Sequence, residues 1–470
     1  YHVKAGARGL DEWNKREPSA NDDFREKIEK YKDTEINEPY ISHETGQWCA
    51  FPDFDEISQY TGVNKARNFE IFRDILNENN MGTMAHKFLM SSGKLQTLCY
   101  KYEIEKTLRT PNYAGFQLLG INDYSGQGTA LVGVLNVFFR EKGYCRAEDF
   151  TEFCSPIVAL ARMPKFTFTN DEEFKIPVEI SNFSATELNK AETTYSLTDD
   201  FGKTYAQGIL STKNIPIGSN ISLGTINEKL NNIDEAMKLT LTVKVTSADG
   251  AAMNHWDFWV YPAKVEDANT DGIYISDTLD AQAIKTLQNG GKVLLTAAGK
   301  IRYGNDIVQY YTPVFWNTSW FKMRPPHTTG AYINNCHPIF IEFPTEDWSS
   351  LQWWELMNKT QVMNFNEFPK DFQPMVQSID TWFISRKAGT LFEANVLGGK
   401  LVMTSMDITS DLNHRIVARQ LRKSMIDYMQ SDRFRPEFDI EIHIVKDLFE
   451  KTAPRVNMFT HDSPDELKPK

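Results

Sequence analysis

The sequence predicts a multidomain chain of mixed α/β and β class, and three changes of texture along its 470 residues predict it. Residues 1–163 alternate short apolar runs with amphipathic stretches, the pattern of parallel βα units. Residues 164–265 carry short alternating segments separated by turn chemistry, the pattern of an antiparallel β-sandwich of immunoglobulin type. Residues 266–435 return to a βαβ pattern, that of an open α/β domain. A last segment, 436–470, holds one alternating run, read as a strand, and then a polar tail. At about 100–200 residues per domain, a chain of this length is expected to hold about three.

Each element follows from a local pattern. Residues 24–31 form a charged helical stretch and 39–42 a short strand. Apolar residues fall at helical spacing over 68–77, over 85–89 and again over 94–108. The run GFQLL at 115–119 is apolar and bounded by glycine, as a buried strand is. In the middle segment 174–180, 194–197 and 238–245 alternate, with Asp-Asp-Phe-Gly, Pro-Ile-Gly and Asp-Gly supplying the turns. In the third segment GIYIS (272–276) and KVLLT (292–296) read as strands around a helix over 281–288, which Asn289-Gly290-Gly291 stops. GKLVMTS (399–405) then precedes a helix over 415–429, and the last alternating run lies at 438–445.

Composition narrows the classes of function. Lys plus Arg number 51 and Asp plus Glu 63, a formal charge of −12, and no basic block stands out along the chain. Binding to a phosphate backbone needs a concentrated basic surface, so nucleic acid and anionic membrane are poor partners. The longest apolar-rich run, 130–139, is interrupted by Gly133 and Asn136 and falls short of the roughly 20 residues that span a bilayer. The five cysteines (Cys49, Cys99, Cys145, Cys154, Cys336) are odd in number and scattered, with no disulfide framework and no CxxC metal spacing.

The segment that carries chemistry is PYISHETGQWCAFPDFDEI at 39–57. A short apolar strand ends in His43-Glu44, and a loop with Trp48, Phe51 and Phe54 follows at once. In parallel α/β barrels chemistry sits at the carboxyl ends of strands. A carboxylate there can attack or stabilise an oxocarbenium-like centre, and aromatic faces pack against sugar C–H surfaces. Position 47 is Gln rather than His, so the zinc-protease HExxH motif fails. The glycines of Ser125-Gly126-Gln127-Gly128 lack the Walker lysine and the GxGxxG spacing, so they read as a tight turn.

This segment resembles the seventh barrel strand of glycoside hydrolase family 2, in particular its β-galactosidase-like members from bacterial polysaccharide-degradation systems. The likeness continues through YTGVNKARNFEIFRDIL (60–76), SGKLQTLCYKYEIEKTLRTPNYAGFQLL (92–119) and NDYSGQGTALVGVL (122–135). It implies that residues 1–163 are the C-terminal part of a (β/α)8 TIM barrel, with Glu44 as the catalytic nucleophile. His43, Trp48, Asn122 and Asp123 become the substrate-binding candidates. For each a second role stays open: His43 as a satisfied structural histidine, Trp48 as core of the barrel mouth, Asn122 and Asp123 as loop caps.

The departure from the family pattern is equally informative. There the general acid/base is a Glu at the end of strand four, usually after an Asn and well upstream of the nucleophile. Of the four Asn-Glu pairs here, Asn77-Glu78, Asn227-Glu228 and Asn366-Glu367 follow Glu44, and Asn37-Glu38 is too close to it. The sequence opens on Tyr1. The resemblance therefore implies an acid/base outside this chain, on a remaining N-terminal half of the enzyme, covalent or as a second chain.

The third segment looks loosely like a class I glutamine amidotransferase-type fold. Cys336, in NNCHPIF, lacks the glycine-flanked elbow a nucleophile would need, so this domain reads as non-catalytic. Six of the ten tryptophans fall between 316 and 382, as core or as a sugar-binding surface. Taken together the expectation is a retaining exo-β-glycosidase, periplasmic or secreted, acting on terminal sugars of oligo- or polysaccharides without metal or organic cofactor. The alternative is a non-catalytic carbohydrate-binding or structural module with an incomplete barrel.

Overall fold

The structure, a computed structural model, describes residues 2–3, 9–25, 40–124, 130–266, 268–316 and 327–453. Most of the helical stretch at 24–31, Pro39, the turn at 125–128, Trp320 and the tail from 454 lie outside them.

Strand β1 (Tyr40–Thr45) precedes helices α1 (Arg67–Glu78) and α2 (Ala85–Arg109) and strand β2 (Tyr113–Leu118). Eight strands follow: β3 (Ile157–Ala161), β4 (Thr167–Thr169), β5 (Glu173–Asn182), β6 (Leu188–Thr198), β7 (Thr204–Ile215), β8 (Gly218–Lys229), β9 (Met237–Thr246) and β10 (Ala251–Tyr261). The remainder holds β11 (Ile273–Ser276), α3 (Ala281–Gln288), β12 (Lys292–Thr296), β13 (Ala331–Ile333), β14 (Val376–Ser378), β15 (Leu391–Val396), β16 (Gly399–Thr404), α4 (Ile416–Gln430) and α5 (Ile442–Glu450).

These elements condense into two compact units that cut across the linear order. The first comprises 1–47, 97–121 and 145–265, and the second 48–96, 122–144 and 266–470. The boundary drawn at 163 from texture therefore does not mark a compact body: 48–96 and 122–144 belong with the C-terminal half.

In the first unit, β1 lies between the short strand His2–Val3 and β2, all three parallel. Three strands make an open sheet, and no closed barrel is present among the described residues. The following strands form a five-stranded sheet in the order β4-β10-β9-β6-β7 and a three-stranded sheet in the order β3-β5-β8. Alternation explains both. Phe174, Ile176, Val178 and Ile180 of β5 are buried, as are Leu239, Leu241, Val243 and Val245 of β9. Phe174 stacks on Phe258 of β10 with centroids 4.6 Å apart, which joins the two sheets. The end of α2 is tied to β10 by charge: Glu105 meets Lys101 at 2.8 Å and Arg109 at 3.0 Å and accepts from Asn254 and from the Trp256 indole, both at 3.0 Å.

The second unit is built on a six-stranded mixed sheet, β11-β12-β16-β15-β14-β13, parallel over its first three strands and antiparallel beyond. Leu287 of α3 packs with Val293, Leu295, Leu401 and Met403 of the sheet. Helix α1 buries Phe69, Phe72 and Leu76, spaced three and four residues apart, against a cluster containing Trp382. Trp353 and Trp382 are buried in this unit, Trp348 nearly so, which is core packing.

The run at 438–445 is not a strand. Ile440, Ile442 and Ile444 alternate, but Ile442, Val445, Leu448 and Phe449 recur at helical spacing, and α5 starts at Ile442. Val445 and Leu448 sit in the same core as Val293 and Leu401, so tertiary burial of the helical face decides the outcome.

Candidate functional site

Glu44 lies at the carboxyl end of β1, where the backbone leaves the sheet. Its φ of +57° is left-handed, and Gly46 follows at +80°. Glu44 is 37% exposed at its side chain. His43 Nε2 stands 3.5 Å from Glu44 Oε1, and its Nδ1 is 3.1 Å from the Gln117 side-chain oxygen on β2. Gln47 donates to the Glu44 carbonyl at 2.6 Å and its amide nitrogen is 3.5 Å from Oε2. The parallel pairing of β1 with β2, Ser42 beside Phe116 and Thr45 beside Leu118, brings His43 and Gln117 to the same edge. What results is an accessible carboxylate with the His43 imidazole and the Gln47 amide beside it, and Gln117 behind the imidazole.

The other candidates belong to the second unit. Trp48 is 2% exposed and its ring meets Phe315 edge-on, centroids 5.3 Å apart, so it is a core residue and offers no open face to a sugar. Asp123 is likewise buried rather than aimed at a ligand. It pairs with Lys142 at 2.6 Å and accepts the Gly133 N–H at 2.9 Å. Burial raises its carboxyl above the ordinary range despite the Lys142 ammonium, which pulls the other way. Asn122 donates to the Asp123 carbonyl at 2.9 Å. A Cβ at Gly133 would fall 2.2 Å from the Asn122 carbonyl carbon, so this loop folds back on itself at the one residue that permits it. Capping describes Asp123 and Asn122 here better than sugar binding.

Several residues around these candidates, each within its own unit, carry no local signal. Glu103 and Tyr100, on the Thr97–Arg109 part of α2 in the first unit, both bond to Gly46. Glu56, in the PDFDEI part of the motif, is a fully buried carboxyl. Lys142 is buried with Asp123, on which it spends its ammonium. Among the described residues no group of three or more His, Cys, Asp or Glu is placed to hold a metal ion, and no helix is long and apolar enough to cross a membrane. Cys336 is exposed ahead of a single 3-10 turn. The neighbouring His337 accepts the Ile339 N–H at Nδ1 and faces Glu393 at 3.4 Å with Nε2.

Residues 172–262 match a family described as "Domain of unknown function (DUF8488)", and residues 274–450 one described as "Domain of unknown function (DUF8487)". No curated protein matches the chain. Among solved structures, the sporulation control protein Spo0M of Bacillus subtilis is similar at 11% identity over 23% of this chain and 50% of its own, TM-score 0.18. A β-glucuronidase of Parabacteroides merdae is similar at 15% identity over 27% of this chain and 20% of its own, TM-score 0.16. A family 123 glycoside hydrolase of Clostridium perfringens is similar at 9% identity over 33% of this chain and 39% of its own, TM-score 0.17. The chain thus spans half or less of the length of each, and TM-scores this low carry no argument.

Proposed function

We propose that this chain carries the nucleophile-bearing end of a retaining exo-β-glycosidase, β-galactosidase-like and related to glycoside hydrolase family 2. The observation that carries the reading is Glu44, an accessible carboxylate at the carboxyl end of a parallel strand, held on left-handed backbone with His43 beside it. Glu44 attacks the anomeric carbon as the glycosidic C–O bond breaks. The leaving oxygen takes its proton from an acid/base supplied by polypeptide outside these 470 residues. Water, deprotonated by the same acid/base, then cleaves the glycosyl ester and frees Glu44. The two carboxyls of such a pair stand about 5–5.5 Å apart. His43, with Nε2 3.5 Å from Oε1, lies beside the carboxylate where it can help to orient it toward the substrate. The substrate class is a terminal sugar of an oligo- or polysaccharide, met in the periplasm or outside the cell, and no cofactor takes part.

The test is covalent labelling. In the complete enzyme, a 2-deoxy-2-fluoro glycoside should modify the peptide containing Glu44, as read by mass spectrometry, and Glu44→Gln should abolish turnover while keeping the fold. Label on another carboxylate, or near-normal turnover in Glu44→Gln, would remove the assignment. A second reading, a carbohydrate-binding or structural module without catalysis, is favoured by the open three-stranded sheet around Glu44. It predicts sugar binding by calorimetry with no label and no turnover.

A further inference from the structure

A non-glycine residue on left-handed backbone is strained and persists only where its surroundings impose it. Glu44 is such a residue, and the turn that follows it is held by side chains of α2. Glu103 is fully buried, and its two carboxylate oxygens divide their work. Oε2 accepts the Gly46 N–H at 2.9 Å and Oε1 accepts the Gly9 N–H at 2.9 Å. Tyr100, three residues earlier and so on the same face of the helix, donates its hydroxyl toward the Gly46 carbonyl at 3.1 Å and the Gly120 carbonyl at 2.9 Å.

Both polar groups of Gly46 are therefore gripped by side chains from one helix. The ring of Tyr100 also lies directly on this glycine: a Cβ at Gly46 would fall 2.0 Å from its Cε1. On the other side the Thr45 carbonyl accepts the Leu119 N–H at 2.9 Å, and the Thr45 hydroxyl is 3.0 Å from that of Ser42. The turn from Glu44 to Gly46 is fixed from both directions.

We propose that Glu103 and Tyr100 are positioning residues for Glu44, holding the Glu44–Gly46 turn in the one conformation that presents the carboxylate at the strand end. The inference rests on the reading of Glu44 as nucleophile. Glu103 acts through the Gly46 peptide, and so does Tyr100. Their removal is felt as a displaced carboxylate rather than as lost substrate contact. Displacements of about 1 Å at a reacting group cost as much as about a hundredfold in rate.

The experiment uses the complete enzyme and a 4-nitrophenyl β-glycoside that it hydrolyses. Tyr100→Phe and Glu103→Gln should each lower kcat by about tenfold or more with KM within about twofold, and slow labelling by the 2-deoxy-2-fluoro glycoside in parallel. The decisive arm is chemical rescue. In Glu44→Ala, azide attacks the anomeric carbon in place of the carboxylate and has no need of the turn. Adding Tyr100→Phe to Glu44→Ala should then leave the azide-rescued rate unchanged. A rescued rate that falls as far as kcat does would show a general structural role and overturn the proposal. So would unchanged kcat in Tyr100→Phe and Glu103→Gln while Glu44 remains essential. Normal turnover of Glu44→Ala without azide would instead sink the nucleophile reading itself, so the two failures are told apart.

Discussion

Replacing Glu56 with Gln should make the second unit less sensitive to pH. Glu56 is fully buried. Its Oε1 accepts the Tyr60 hydroxyl at 3.1 Å, and its Oε2 has no hydrogen-bond partner among the described residues. The cation in its neighbourhood is already committed, since Lys142 spends its ammonium on Asp123 at 2.6 Å and on the Gly133 carbonyl at 2.8 Å. Burial pushes the Glu56 carboxyl up to about 7, the charges of Asp123 and Asp53 push in the same direction, and the Tyr60 hydroxyl and Lys142 oppose them. In the unfolded chain the same group titrates near 4.5. Between those values the folded state binds the extra proton, so stability is highest below the unfolded pKa and is lost as pH rises towards 7, with little further change above it. Moving one carboxyl from an ordinary pKa to about 7 is worth about 3 kcal/mol in all, of which about 2 falls between pH 5 and pH 7. Gln keeps the shape and does not titrate. Urea unfolding followed by tryptophan fluorescence at pH 5, 6, 7 and 8 should show the difference between wild type and Glu56→Gln changing by that amount across the series. Parallel pH profiles for the two proteins would refute the reasoning, because they would mean that Glu56 is solvated or paired.

Three further outcomes follow from buried groups. Lys142→Met strands Asp123 without its cation and should cost about 3–5 kcal/mol in urea unfolding at pH 7, whereas a loss below about 1 would mean that the pair is open to water. In the first unit Glu105 behaves oppositely to Glu56. Burial pushes its carboxyl up, but Lys101 and Arg109 outweigh that and hold it below the usual range, so its contribution is present at neutral pH and lost on acidification. Glu105→Gln should therefore cost about 3–5 kcal/mol at pH 7 and less at pH 3, and an equal cost at both would contradict the pairing. Of the free thiols, Cys336 is exposed while Cys49, Cys99 and Cys145 are buried. A chromogenic thiol reagent should modify Cys336 rapidly in the native protein and those three only after denaturation. Rapid native reaction in Cys336→Ala at any of the three would show that the cores around them open.

What could be read from the sequence is what local pattern determines. The three- and four-residue spacing of Phe69, Phe72 and Leu76 announces α1, and the alternation at 174–180 and 238–245 announces β5 and β9 as strands. Neither the compact units nor the support of Glu44 is of that kind. Thr329 donates to the Cys49 carbonyl at 2.8 Å, and Lys94 meets Asp347 at 2.7 Å, partners more than 250 residues apart. No window of sequence contains both ends of such a contact, so the attachment of 48–96 to the C-terminal half leaves no trace in texture. The stretch YKYEIEKTLR fails for a different reason. Its charges look like the wet face of a surface helix, yet Lys101, Glu103, Glu105, Lys106 and Arg109 are all buried. Each is buried because a partner waits for it: the backbone N–H of Gly9 and Gly46 for Glu103, the Gly9 carbonyl and Glu12 for Lys106, and each other, with Asn254 and Trp256, for the rest. Ionisable groups keep their charge in a core when paired in this way, whereas an unpaired one such as Glu56 is pushed toward its neutral form. A helix that carries ionisable groups on its buried as well as its open faces is thus specified by what it must hold in place, and in this helix one of the things held is the turn on which Glu44 stands.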